Sequence, residues 1–313
     1  MRKKIKDSSV IDKIIIIFFL IVLVLYSLSI LFAVGWGLLT SFKSTLDFLV
    51  EKNVLGLPNP KLSSAEMRFS NYGLIFQNFE FDKYARFYRG SIYVEHHTHA
   101  TFLTMLGYTF LYTVVGSLLQ ALVPAVCAYL CAKFDFKFSK FIYVLVLFVN
   151  IIPIVGSYPS AITLLRDLGL YDTFLGYFMQ KFSFCGTYFF VYYAFFETLP
   201  NTYSEAAEID GASRYAALIY IILPLAIKII STVWLLQFVA FWNDYQTALL
   251  YMPTKPTLAY GVYYLCHETA KGKLANVPAK TAGCMILALP LIALFSIFKE
   301  RLMGNISMGG IKG

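Results

Sequence analysis

Asn150, Gln237, Asn243, Asp244 and Gln246 stand inside stretches otherwise apolar enough to cross a bilayer. A side chain that ionises or hydrogen-bonds at such depth must face a bundle interior or an aqueous cavity, where it can hold an ion, a proton or a polar solute. Asp244 lies about fifteen residues past the start of its segment, or roughly 22 Å along a helix axis. Two readings stay open: these groups line a path, or they satisfy one another and cap a helix end. Glu95-His96-His97-Thr98-His99 is the other cluster of reactive types. On a helix, His96 and His99 would share a face with Glu95 as a third metal ligand. An exposed histidine cluster without a ligand is the commoner arrangement, and no metal site is assigned. There is no Gly-rich loop ending in Gly-Lys-Ser/Thr, no G-x-S-x-G and no H-E-x-x-H, so neither nucleotide binding nor catalysis is expected of these residues. The five cysteines (Cys127, Cys131, Cys185, Cys266 and Cys284) form no CxxC pair and read as small buried hydrophobes.

The elements that position these residues are set by composition. Of 313 residues, 58% are hydrophobic and 14% charged, the balance of a polytopic membrane protein. The net charge of +8 is scattered over loops and tails, which suits membrane orientation and not nucleic acid. The sequence predicts an all-α fold with six transmembrane helices. Residues 1–13, with Arg2, Lys3, Lys4, Lys6 and Lys13, form a cytoplasmic N-terminus. A first, uncleaved membrane helix covers 14–39, because the apolar run is too long for a signal peptide and no small-residue cleavage site follows. Residues 40–100, polar, aromatic and broken by Gly56, Pro58 and Pro60, form an extracytoplasmic loop. A five-helix core fills 101–298, with spans near 102–132, 141–165, 183–199, 229–251 and 279–298. Within the third, Pro153, Gly156 and Pro159 break the helix, which is tolerated where the backbone is buried in protein or lines a cavity. Residues 299–313 are a cytoplasmic tail. The bias of Lys and Arg toward the N-terminus, the loop after the second span and the C-terminus puts both termini on the cytoplasmic side.

One polar stretch turns back between the fourth and fifth spans, within 200–228. It reads Glu205-Ala206-Ala207-Glu208-Ile209-Asp210-Gly211-Ala212 and then Ile222-Leu223-Pro224. Pro200, Thr202 and Glu205 suggest a helix start with a capping box. Gly211 tolerates the left-handed backbone that stops a helix. A second helix is expected from Ala212 until Pro224 interrupts it. By helix physics alone this is an amphipathic interfacial connector. The spacing E-A-A-x-x-D-G-A, with a proline twelve residues after Ala212, resembles the signature loop of ABC-importer permeases. Lys228 stands where that pattern has a second proline. Thr40-Ser41-Phe42-Lys43, Asn71-Tyr72-Gly73-Leu74-Ile75-Phe76, Leu168-Gly169-Leu170-Tyr171-Asp172-Thr173, Trp242-Asn243-Asp244 and the closing Gly304-x4-Gly309-Gly310-Ile311-Lys312-Gly313 resemble elements of the carbohydrate-uptake permeases of the maltose-transporter type.

The resemblance implies that Glu205, Ala206, Ala207, Glu208, Asp210, Gly211, Ala212 and Pro224 build a cytoplasmic coupling helix and its exit, seated on a separate ATPase. Small Ala206 and Ala207 would allow close docking, and bulky or charged replacement of Ala207 or Gly211 would uncouple ATP hydrolysis from uptake. Gly309, Lys312 and Gly313 would reach toward the same ATPase. Asn150, Tyr158, Gln237, Trp242, Asn243 and Asp244 would line the path of a sugar or oligosaccharide, with Tyr158 and Trp234 offering flat faces to a ring. The implied partners are a second homologous permease, two cytoplasmic ATPase subunits that bind the ATP and Mg, and an extracytoplasmic solute-binding protein, at the bacterial cell membrane. The chain itself would need no cofactor. Two other classes compete: an ion-gradient-driven secondary transporter using Asp244 as its ion site, and a membrane-anchored binding protein working through its outer loop. The first should show paired repeats with interrupted helices, which are not evident in the sequence.

Overall fold

A computed structural model describes residues 10–59, 61, 69–134, 136–152, 156–268 and 274–306. Two compact units divide the chain, Met1–Phe79 with Leu265–Ile286, and Glu80–Tyr264 with Leu287–Gly313. In the first unit, helix α1 (Val10–Ser41) is apolar on every side, and its large side chains from Val10 to Leu31 are exposed. A helix apolar all round needs an apolar surrounding, and 32 residues give about 48 Å, more than the roughly 30 Å of hydrocarbon. It begins four residues before the expected Ile14, at Val10. Near its end Gly37 lies against Met285 and Thr281 of the last helix; an added Cβ would meet Met285 Cε at 3.0 Å. Two short elements that are separate in sequence meet here. Asn71, in α2 (Ser70–Asn78), donates from Nδ2 to the carbonyls of Ser41 and Lys43, both at 2.8 Å. Tyr72 OH and Ser41 Oγ are 2.7 Å apart. Lys43 is fully buried and donates to the carbonyls of Asn53 (2.6 Å) and Val54 (3.1 Å).

The second unit opens on strands β1 (Glu80–Arg89) and β2 (Ile92–Thr101), paired antiparallel with Glu80 opposite Thr101 and Arg89 opposite Ile92. This corrects the all-α expectation. It also corrects the helical reading of the histidines. Alternation along a strand sends His97 and His99 to one face and His96 to the other. His97 Nε2 contacts Asp82 Oδ1, its ring stacks on Tyr84 at 4.3 Å, and Arg86 pairs with Glu95 at 2.8 Å, all on the exposed face. Among the described residues, no group of three or more His, Cys, Asp or Glu side chains is arranged to hold a metal. The other face packs inward: Phe81 against Tyr260 and Tyr264, Phe87 against Tyr171.

Helix α3 (Phe102–Lys133) runs through Pro124 and carries Ala121, Ala125 and Ala128, each fully buried. Small residues at that spacing let neighbouring backbones approach closely, as membrane helices require. Against it pack α7 (Thr187–Thr198), through Phe189, Tyr192 and Phe196, and α9 (Arg214–Trp242), through Ala226, Ile230 and Val233. Between them come α4 (Lys137–Ile151), α5 (Ser157–Asp167), α6 (Phe174–Lys181) and α8 (Thr202–Ile209). After α9 follow α10 (Tyr245–Tyr251), α11 (Leu258–His267) and α12 (Val277–Ile306).

Among the described residues four helices are long and apolar enough to cross a membrane: α1, α3, α9 and Val277–Phe298 of α12. The expected third span is instead two helices, α4 and α5, the latter entered through Gly156 at φ 78°. Pro153 lies outside the described residues. The expected fourth span is a helix of 12 residues, about 18 Å long, which is short of the hydrocarbon thickness. The expected fifth span starts earlier, at Arg214, and stops at Trp242. Pro224 does not interrupt it. The backbone opens into a π-helical turn at Leu218–Ile222, where Leu223 N bonds to Leu218 O, and this wider turn absorbs the proline's missing N–H.

Candidate functional site

The loop after α7 is built from short-range contacts. Asn201 precedes α8 with helical backbone and no side-chain cap, so the Thr202–Glu205 capping box does not form. Asn201 Oδ1 instead accepts from Lys133 Nζ at 2.9 Å, and Lys133 also donates to the Leu199 carbonyl. The end of α8 follows the glycine logic. Gly211 has φ 80°, its N–H bonds to Glu208 O at 3.1 Å, and Ala212 N bonds to Ala207 O at 2.9 Å. That pair of bonds is a Schellman closure. Ser213 then caps α9 by accepting from Ala216 N at 3.2 Å. Arg214 reaches back to Glu208 at 3.3 Å and lies over the Phe134 ring; both charges are more than half exposed, so the pair adds little stability.

A Cβ at Gly211 would meet nothing within 4 Å, so a substitution there costs only backbone strain. Left-handed backbone costs an L-residue about 1–2 kcal/mol. Gly211→Ala is therefore expected to speed hydrogen exchange at the Ala212 amide about fivefold or more, and Gly211→Asn less, because asparagine tolerates this region. Equal exchange in all three proteins would show that the closure does not hold the helix end.

The two alanines of α8 differ. Ala207 is 3% exposed and faces its own chain, whereas Ala206, Glu205 and Asp210 face outward. Ile209 is 86% exposed, and Tyr215, the second residue of the next helix, 81%. Behind α8 lies a cleft of about 220 Å³ lined by residues of both charges, Lys133 and Arg214 with Glu205 and Glu208.

Asp244 is half-buried and is held by a side chain from a distant element. It caps α10, with Oδ1 accepting from Thr247 N at 2.9 Å, and Oδ2 accepts from Tyr112 OH at 2.6 Å. Tyr112 stacks on Tyr177 at 4.1 Å, and Tyr177 OH donates to the Tyr112 carbonyl at 3.3 Å. Lys181 Nζ lies 5.3 Å from the Tyr177 ring and 4.6 Å from the Phe241 ring. Cap and buried anchor thus coincide at the break between α9 and α10. The other candidates are not gathered with it. Asn243 Nδ2 and Asn150 Nδ2 each donate to a carbonyl of their own helix, Val239 and Val146. Trp242 is buried, donating from Nε1 to Leu287 O at 3.0 Å. Gln237 is half-buried, and Tyr158 is exposed, 6.3 Å from the Tyr251 ring. Gly309, Lys312 and Gly313 lie outside the described residues.

A second polar centre forms around a residue that the sequence marks only as part of the Leu168–Thr173 loop. Asp172, with φ 60°, has its side chain 3% exposed. Its carboxylate accepts from Thr254 N (3.1 Å) and Thr254 Oγ1 (2.7 Å) and pairs with Arg89 (3.2 Å) and Lys255 (3.4 Å). Its carbonyl accepts from Arg89 at 3.2 Å and from Lys255. One residue thereby ties the hairpin end, the loop before α6 and the turn after α10.

Four helices long and apolar enough to cross a membrane, a half-buried carboxylate at the break between α9 and α10 and a short polar helix between two apolar ones define a polytopic membrane protein with the build of a permease. Residues 124–306 match the family described as binding-protein-dependent transport system inner membrane component, and the chain belongs to that family. The diacetylchitobiose uptake system permease protein NgcG of Streptomyces coelicolor is 26% identical over 291 residues, covering 92% of this chain and 86% of that one. The melibiose/raffinose/stachyose import permease protein MelC of Bacillus subtilis is 27% identical over 216 residues, 66% of this chain and 77% of that one. A crystal structure of a bacterial ABC transporter involved in the import of the acidic polysaccharide alginate contains a chain with the same fold (TM-score 0.69, 22% identity, 94% of this chain and 98% of that one).

Proposed function

We infer that this chain is the transmembrane permease subunit of an ATP-driven ABC importer for a sugar or oligosaccharide. The observation that carries the reading is the family match over 124–306, a range that contains the signature loop together with its helix and left-handed glycine. Sugar-uptake permeases among the relatives support a carbohydrate as the substrate class. We take the partners to be a second homologous permease, two cytoplasmic ATPase subunits carrying ATP and Mg, and an extracytoplasmic solute-binding protein.

In this reading the membrane is crossed six times, by α1, α3, the α4–α5 pair, α7 with its flanking residues, α9 and α12. Both termini and α8 then face the cytoplasm, residues 40–100 face outward, and the basic residues near α8 and at the ends fit that orientation. Helix α8 is the coupling helix, with its outward side chains on the ATPase and Ala207 seating it on its own chain. Nucleotide drives the cycle by favouring one state of the permease pair over the other. Asn150, Tyr158 and Asn243 are exposed on this chain and so are available to line a path shared with the second permease, while Asp244 fixes the α9–α10 break.

The test is a cysteine crosslink from the exposed position 206 (Ala206→Cys) to single-cysteine probes in the co-expressed ATPase, with native cysteines replaced. A crosslink whose yield changes with nucleotide is expected. No crosslink in an assembled complex, with uptake following membrane potential and not ATP, would overturn the reading in favour of an ion-driven transporter.

A further inference from the structure

Cys266 and Cys284 are eighteen positions apart, on α11 and α12, yet their Sγ atoms are 3.9 Å from each other. A disulfide requires about 2 Å between sulfurs, so side-chain rotation must close a further ~2 Å. The pair is held in place by a second contact. Lys280, one helical turn before Cys284, donates from Nζ to the Cys266 carbonyl at 3.1 Å, fixing the last turn of α11 against the start of α12. Both thiols are partly exposed. We propose that Cys266 and Cys284 form a redox-active dithiol whose reversible disulfide ties α11 to α12 on the extracytoplasmic side. This rests on the six-crossing reading above, in which α9 leads out from cytoplasmic α8 and α12 leads back, so that α11 between them lies outside, where disulfides persist.

The neighbouring Cys284 thiol, with Lys280 and His267 adding to it, holds Cys266 below the ordinary thiol range, which makes Cys266 the attacking sulfur. The oxidant is an external disulfide, of a small thiol or of an extracytoplasmic oxidoreductase. Cys266 thiolate attacks one of its sulfurs, that S–S bond breaks, and one external thiolate leaves. Cys284 then loses its proton and attacks Cys266 Sγ; the mixed disulfide breaks and the second external thiolate leaves. Two electrons pass to the external disulfide, and the two cysteine protons end on the two thiols released.

The test uses the assembled transporter in cells, with Cys127, Cys131 and Cys185 changed to serine and oxidised glutathione as the oxidant. Thiols are then counted in denatured protein with a maleimide that shifts gel mobility. Loss of both thiols together, recovery with dithiothreitol, and a linked 266–284 peptide in the mass spectrum are expected. Cys266→Ser should leave Cys284 free, and Cys284→Ser should stop Cys266 at the glutathione adduct. Two thiols that stay free, or two separate glutathione adducts in the parent protein, would overturn the proposal. A membrane-impermeant maleimide on Asn276→Cys, beside α12, separates the two possible failures. Labelling of that site with no internal disulfide refutes the dithiol alone. No labelling there, in cells where a permeant reagent does react, refutes the outward placement and the proposal with it.

Discussion

Asp172→Ala is expected to destabilise the transporter by about 3–5 kcal/mol, the range for removing one partner of a buried ion pair. The carboxylate is nearly inaccessible, while Arg89 and Lys255 keep 33% and 25% of their side-chain surface. Removing it leaves two partly buried cations facing each other and strips the Thr254 N–H of its acceptor. Alanine also has to hold a φ of 60°, which asparagine and aspartate accept more readily. The thermal midpoint of the detergent-solubilised complex, read by size exclusion after heating, should fall clearly in Asp172→Ala. Asp172→Asn should fall less, because the amide oxygen still accepts from Thr254 and the backbone preference survives. Arg89→Met combined with Asp172→Ala should cost less than the sum of the two single changes, since they share one network. A midpoint for Asp172→Ala equal to that of the parent would remove Asp172 as the tie between hairpin and helices.

What the sequence discloses follows the range of the interactions. The turn at Gly211 is legible because its cause is local: one residue must adopt positive φ, and glycine does so without cost. Helices α1 and α3 are legible because unbroken apolar runs of this length admit few other structures. Helix α7 is less so, since 12 residues of apolar sequence give no boundary and the neighbours supply it. The hairpin had a signal in Gly90-Ser91 between two aromatic-rich runs, a two-residue turn pattern. Lys83 on the inward side and the exposed Tyr84 and Tyr88 blur the alternation, and the histidines suggest a metal site instead. For Asp244, the cap is readable from Thr247 three residues on, but Tyr112 lies 132 positions away and is one of 23 tyrosines. Asp172 shows in the sequence only as part of a loop pattern; its partners, Arg89 and Thr254, are each 80 or more positions distant. Ala206 and Ala207, alike in sequence, differ in burial for a related reason. Small size shows in sequence, but which side of an eight-residue helix meets its own chain does not.

That asymmetry sets the second large effect, at Ile209. Ile209→Asp should leave the chain at its normal level in the membrane with an unchanged thermal midpoint, because a side chain 86% exposed makes few contacts to lose. If α8 seats in a groove of the ATPase, the isoleucine is buried on assembly, and burial of such a side chain contributes about 1.5–3 kcal/mol. An aspartate there forfeits that gain and brings a charge into an apolar seat, so docking should weaken by at least ~2 kcal/mol, or ~30-fold. Uptake should then drop by at least about tenfold, and ATPase retained on the immobilised permease should fall in parallel. Ala207→Asp, two positions earlier, should fail differently. Its carboxylate would be forced into the chain's own interior, and the amount of folded permease should decline before any docking is measured. Normal uptake by Ile209→Asp would mean that this face of α8 stays in water throughout the cycle. The coupling surface would then have to lie elsewhere, with Tyr215 and Tyr220 on the following helix the next exposed side chains to test.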